Sequence, residues 1–107
     1  MITRNDSNIQ ALIDDNTHVI VQFGAPWCMP CKQLKPKVEK ISYESPDIVF
    51  AYCDIESTQD FSKKMKVMSI PTVVGFHYGD VVETIVGSNE EAVKKLVEGL
   101  RTRVKNT

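Results

Sequence analysis

The residues best suited to chemistry are two thiols three positions apart, Cys28 and Cys31, in the run Trp27-Cys28-Met29-Pro30-Cys31-Lys32. If a helix starts there, both thiols fall on the face of its first turn, with β-carbons about 5–6 Å apart. A small adjustment then closes a disulfide. Disulfide exchange needs a thiolate attacker, access to the sulfur under attack, and a second thiol that resolves the mixed disulfide. At a helix N-terminus, unpaired N–H groups and the macrodipole favour a thiolate at Cys28, and Lys32 and Lys35 one turn on add positive field. Cys31 supplies the resolving thiol at high effective concentration. Pro30 gives up an N–H that a helix start leaves unpaired anyway, and it fixes φ.

Other uses of paired thiols fit less well. A closed zinc site needs four ligands, and beyond the pair only Cys53, His18 and His77 remain, with no second paired motif. A static bridge is the other alternative. Cys53 reads as a small hydrophobe packed in a strand. His18 and His77 read as surface spacers.

The elements that must position the pair follow from periodicity. Val19 to Phe23 is an apolar run read as a buried strand that feeds the motif. From Cys31, the residues Leu34, Val38 and Ile41 recur at helical spacing, and Pro36 is expected to kink that helix. Ser7-Asn8-Ile9-Gln10 resembles a capping box opening a helix over about 7–16. Ser45-Pro46-Asp47 precedes a strand from Ile48 to Cys53, and Ser57-Thr58-Gln59-Asp60 looks like another helix start. Thr72 to Phe76 and Val81 to Val86 read as a hairpin turned at Tyr78-Gly79-Asp80. Ser88-Asn89-Glu90-Glu91 opens a last helix with apolar positions from Ala92 through Leu100 to Val104, weakened locally at Gly99. A short strand at Ile2–Arg4 completes the set. Early strand–helix alternation predicts parallel pairing with right-handed crossovers, and the late hairpin predicts an antiparallel edge. The fold class is therefore α/β, a central mixed sheet with helices on both faces.

At 107 residues the chain has room for a single domain, 1–107, and one core. Hydrophobic residues make 42% and charged residues 25%, and 13 basic against 14 acidic residues leave a net charge of −1. Those totals argue against disorder and give no reason to expect a direct nucleic-acid partner. No apolar stretch approaches the ~20 residues of a membrane span. The first residues lack the basic-then-apolar layout of a secretion signal, and an odd cysteine count does not favour a disulfide framework. These features set the expectation of a cytoplasmic, monomeric protein in a reducing compartment.

Trp27-Cys28-Met29-Pro30-Cys31-Lys32 with Pro36 downstream, then Ile70-Pro71-Thr72, Gly79 and Val86-Gly87, resemble the thioredoxin family in order and spacing over nearly the whole chain. That resemblance implies the thioredoxin fold and a protein disulfide oxidoreductase that reduces client disulfides. Cys28 would be the exposed nucleophile and Cys31 the buried resolving thiol. Pro71 would be a cis-proline facing the dithiol, and Trp27, Ile70, Pro71 and Gly87 would form the docking groove. No cofactor would be bound. Electrons would come from NADPH through a flavoprotein thioredoxin reductase.

The sequence departs from the family pattern in three places, one of them a pair of residues. Met29 stands where glycine is usual and adds a soft apolar side chain to the docking surface. Gln22 stands where a buried aspartate is usual, with Tyr52 in the place of its common lysine partner. A glutamine cannot take a proton at neutral pH, so the resolving step is expected to be slower or more pH-sensitive. Gly24 replaces a common aromatic residue and is expected to loosen the loop beneath the motif. Two rival roles stand beside reduction: a non-catalytic partner subunit using the same groove, and an oxidant or isomerase running the exchange in reverse. Met29-Pro30 offers no polar group to stabilise a thiolate strongly, which favours the reducing direction.

Overall fold

A computed structural model describes residues 1–103; Val104, expected to extend the last helix, lies outside them. The elements run β1 (Ile2–Arg4), α1 (Ile9–Asp14), β2 (His18–Gly24), α2 (Met29–Tyr43), β3 (Val49–Asp54), α3 (Gln59–Lys64), β4 (Thr72–His77), β5 (Asp80–Val86) and α4 (Glu90–Thr102). They form one five-stranded sheet in the order β1-β3-β2-β4-β5. β3 is parallel to both β1 and β2, whereas β4 is antiparallel to β2 and β5. The expected mixed sheet is thus present, with its antiparallel part at the β4–β5 hairpin. Tyr78 and Gly79 at the hairpin tip both have positive φ, 51° and 83°, the backbone that a type I′ turn requires.

Strand alternation divides the core between the two sheet faces. Ile20 and Phe50 join Leu34, Val38, Val93 and Leu96 under α2 and α4. Val21, Phe23, Ala51 and Cys53 join Ile9 and Phe61 under α1 and α3. β2 is buried on both faces, as a central strand with apolar residues on both sides should be. Gln22 is its one fully buried polar side chain, on the α2 face within hydrogen-bonding reach of Cys31.

The helix starts differ from the sequence reading in instructive ways. Asn5 takes the backbone and hydroxyl of Ser7 (2.9 and 2.6 Å), so Ser7 caps nothing and α1 begins only at Ile9. Before α3, Thr58 donates back to the Asp54 carbonyl (2.6 Å). The helix is capped from afar instead: the Asp6 carboxylate accepts from Asp60 and Phe61 N–H groups at 3.1 and 2.9 Å. α4 is capped by Asn89, not Ser88, through a 3.0 Å bond from Ala92 N–H. α2 continues past Pro36 to Tyr43. At its far end, Arg101 of α4 holds Asp47 with two bonds of 3.0 and 3.1 Å.

Candidate functional site

β2 delivers the chain into the loop Ala25–Trp27, and α2 begins at Met29 with Cys28 as its N-cap residue. Cys28 N–H donates to the Ala25 carbonyl (3.1 Å), which tightens this entry. The Cys28 sulfur accepts from Cys31 N–H at 3.3 Å and so caps the helix that carries both thiols. Cys28 and Cys31 are joined in a disulfide, their α-carbons 5.3 Å apart. Cys28 is 6% exposed and Cys31 1%, so in the disulfide form both are buried, Cys31 the more deeply, and Cys28 is not the exposed residue that the resemblance implied. Among the described residues no three His, Cys, Asp or Glu side chains converge to hold a metal.

The Ile70–Pro71 peptide bond is cis, as expected, and the Ile70 carbonyl lies 3.9 Å from the Cys28 sulfur. In the dithiol form the Cys28 S–H has that carbonyl to donate to. Gly87 N–H donates to the Pro71 carbonyl at 2.8 Å, tying the end of β5 to this segment. Pro71 itself is buried, Pro30 and Lys32 are exposed on the first turn of α2, and Met29 is 62% exposed. Pro36 is exposed about 7.5 Å along the helix from Cys31, so it shapes α2 without reaching the dithiol.

A groove of about 510 Å³ opens beside the motif, bounded by Trp27, Ile55, Lys63, Val67, Met68 and Ile70 among others. It brings together Trp27 and Ile70 from the sequence reading, while Pro71 and Gly87 lie outside its walls. Trp27 is 67% exposed and its indole N–H donates to Glu56 at 2.7 Å. Met68 is 95% exposed. Sequence reasoning passed over Glu56 and Met68. The available signal was Met68 standing two residues before Ile70-Pro71 in a stretch with no helical or strand period.

Beneath the dithiol, Gln22 Nε2 donates to the Cys31 carbonyl at 3.4 Å, and its Oε1 is buried without a partner. Tyr52 pairs with Gln22 in register across β2 and β3. Gly24 does not loosen the loop as expected. A β-carbon there would stand 2.6 Å from the Tyr52 hydroxyl and 3.1 Å from Cys31 Cβ, so the tyrosine already fills the space. Lys35 sits over the Tyr52 ring, 4.3 Å from its centroid, a cation–π contact that commits this lysine to the tyrosine.

Cys53 is fully buried on the other face, and burial, with a smaller contribution from Asp6, pushes its thiol up to about 12. It is a packed hydrophobe, as the sequence suggested. The histidines are not separate surface spacers. His18 and His77 are register partners at the far end of β2 and β4, half-buried, with rings stacked 5.1 Å apart. Burial and then the neighbouring His77 lower the His18 pKa.

A mixed sheet that places a CxxC pair at a helix N-terminus, facing a cis-proline, defines a dithiol–disulfide oxidoreductase. The chain belongs to the thioredoxin family, whose profile, described as thioredoxin, matches residues 1–100. Mitochondrial thioredoxin-3 of Saccharomyces cerevisiae is 32% identical over 96 residues, 90% of this chain and 76% of that protein. Thioredoxin 1 of Plasmodium falciparum is 33% identical over 97 residues, 91% of this chain and 93% of that one. A solved structure of Plasmodium falciparum thioredoxin superposes with a TM-score of 0.88 at 31% identity, covering 92% of this chain and 98% of that chain. This protein is accordingly a protein-disulfide oxidoreductase that acts by dithiol–disulfide exchange.

Proposed function

We propose that the chain works as a cytoplasmic electron carrier in the reducing direction, with Cys28 as nucleophile and Cys31 as resolving thiol. The observation that carries this reading is the placement of the pair: Cys28, the less deeply buried of the two cysteines, lies at a helix N-terminus beside an open apolar groove. A client disulfide docks across Trp27, Met29, Pro30 and Ile70, with Pro71 and Gly87 holding the backbone behind it. Cys28 attacks one client sulfur and forms a mixed disulfide. Cys31 then attacks Cys28, releasing the reduced client and leaving Cys28–Cys31 oxidised. A flavoprotein thioredoxin reductase, drawing electrons from NADPH, restores the dithiol. The odd cysteine count, with Cys53 left outside any disulfide, supports a reducing compartment.

Direction is set by the pair's reduction potential. Trp27 adjoins Cys28 in sequence, so its fluorescence should report the redox state. Titration in dithiothreitol/oxidised-dithiothreitol buffers should give a reversible two-electron transition near −270 mV, the thioredoxin end of the known range. A midpoint between about −180 and −120 mV would make the protein a disulfide donor and reverse the proposed direction.

A further inference from the structure

We propose that the Tyr52 hydroxyl, occupying the space that Gly24 leaves open beside Cys31, relays the Cys31 thiol proton to solvent when Cys31 resolves a mixed disulfide. The inference rests on reading Cys31 as the resolving thiol. Only a thiolate attacks a disulfide, and Cys31 is 1% exposed, so its proton must leave a place that water barely reaches. Gln22 cannot receive it, because a neutral amide neither takes nor gives up a proton near pH 7.

Tyr52 has the geometry and the chemistry. Its oxygen and Cys31 Cβ border the same small space over Gly24, at 2.6 and 3.1 Å from the position of an absent β-carbon. They are separated by no more than those two distances together, which sets the hydroxyl beside the cysteine. Tyr52 borders this space and is only half-buried, so the residue also keeps contact with solvent. A phenol accepts on oxygen while donating its own proton, and so passes a proton along without ionising.

The groups around Tyr52 suit this use. Lys35 from α2 covers its ring, Gln22 and Gly24 adjoin it from β2, and Thr3 pairs with it from β1. Asp54 and Cys53 follow along β3. Burial first, then the Asp54 charge, raises the Tyr52 pKa, which keeps the hydroxyl protonated at neutral pH. In the balanced step, Cys31 sulfur bonds to Cys28 sulfur as the Cys28–client bond breaks. The electron pair leaves with the client thiolate, which takes a proton from solvent. The Cys31 proton passes to the Tyr52 oxygen as the tyrosine's own proton passes to water.

The test is reaction of the reduced full-length protein with 5,5′-dithiobis(2-nitrobenzoate) from pH 5.5 to 9. The first chromophore is released by Cys28 at a rate proportional to reagent. The second is released by Cys31 in a unimolecular step. Tyr52→Phe should slow the second release about tenfold at pH 7, less than full general-base catalysis because a relay stores no proton. It should also make that step rise steadily with hydroxide, and leave the first unchanged. Gly24→Ala, which displaces the hydroxyl but keeps the tyrosine, should reproduce the effect and serves if Tyr52→Phe does not fold. Combining the two should slow the step no further. A second phase unchanged within twofold in rate and pH profile would overturn the relay. A wild-type protein that releases one chromophore and stops would overturn the reading of Cys31, and the relay with it.

Discussion

Gln22 is the residue whose replacement tests most directly how dry the space beneath the dithiol is. It is fully buried in the central strand, with one weak 3.4 Å bond to the Cys31 carbonyl and an oxygen that has no partner. Gln22→Asp places a carboxyl there. Full burial raises a carboxyl pKa by about 3 pH units or more, from an unfolded value of about 3.9 to roughly 7. Between those values the folded variant holds a proton that the unfolded chain has lost, so its stability falls as pH rises. At 1.36 kcal/mol per unit, the loss accumulates to about 4 kcal/mol by pH 8. The shortened side chain adds about 1 kcal/mol of destabilisation that does not depend on pH. Urea unfolding of oxidised wild type and variant from pH 4 to 8 separates the two, because only the carboxyl contribution varies. A total stability of 5–15 kcal/mol leaves the variant folded at the acid end. The same carboxyl can take the Cys31 proton, so the resolving step should speed up near neutral pH. A stability difference constant with pH to about 0.5 kcal/mol would mean that the site is hydrated, and an unchanged resolving rate would mean that a carboxyl at this position does not take the Cys31 proton.

Two further outcomes follow from the thiols. Cys31→Ser should leave Cys28 able to attack but unable to be displaced, so incubation with a disulfide-bonded client protein should accumulate an adduct that reductant reverses. Non-reducing electrophoresis showing no such adduct would count against Cys28 as the nucleophile. Cys53, fully buried with its thiol pushed up to about 12, should resist iodoacetamide at pH 8 in the native dithiol protein. Mass spectrometry should find Cys53 alkylated only after denaturant is added, and labelling at the rate of Cys28 would place it at the surface.

What the sequence made legible was whatever depended on neighbours along the chain. The apolar run at Val19–Phe23 and the three- and four-residue spacing of Leu34, Val38 and Ile41 each contain their own burial pattern, so β2 and α2 could be read directly. The dithiol was legible for the same reason, since a three-residue spacing at a helix start is local geometry. Helix starts were less so. Ser7 looked like a cap but is bound by Asn5, two residues away, while the true cap of α3 comes from Asp6, more than fifty residues earlier. A capping pattern states which bonds a side chain can make, and competition among partners in three dimensions decides which it does make.

Gly24 shows the same limit at the site itself. Read alone, a glycine under the active-site loop means slack, because it removes a side chain and widens the allowed backbone. In the fold it means the opposite, since Tyr52 from the adjacent strand fills the vacated space and leaves no room even for a β-carbon. Glycine and tyrosine are twenty-eight positions apart, and nothing in either residue's local sequence refers to the other. Only the parallel register of β2 and β3, which sets Tyr52 beside Gln22, turns the two departures from the family pattern into one packed unit against Cys31. Substitution at either position should therefore be felt at the other. Gly24→Ala should cost stability beside Tyr52, and the cost should shrink when Tyr52→Phe removes the oxygen that lies 2.6 Å from the new carbon.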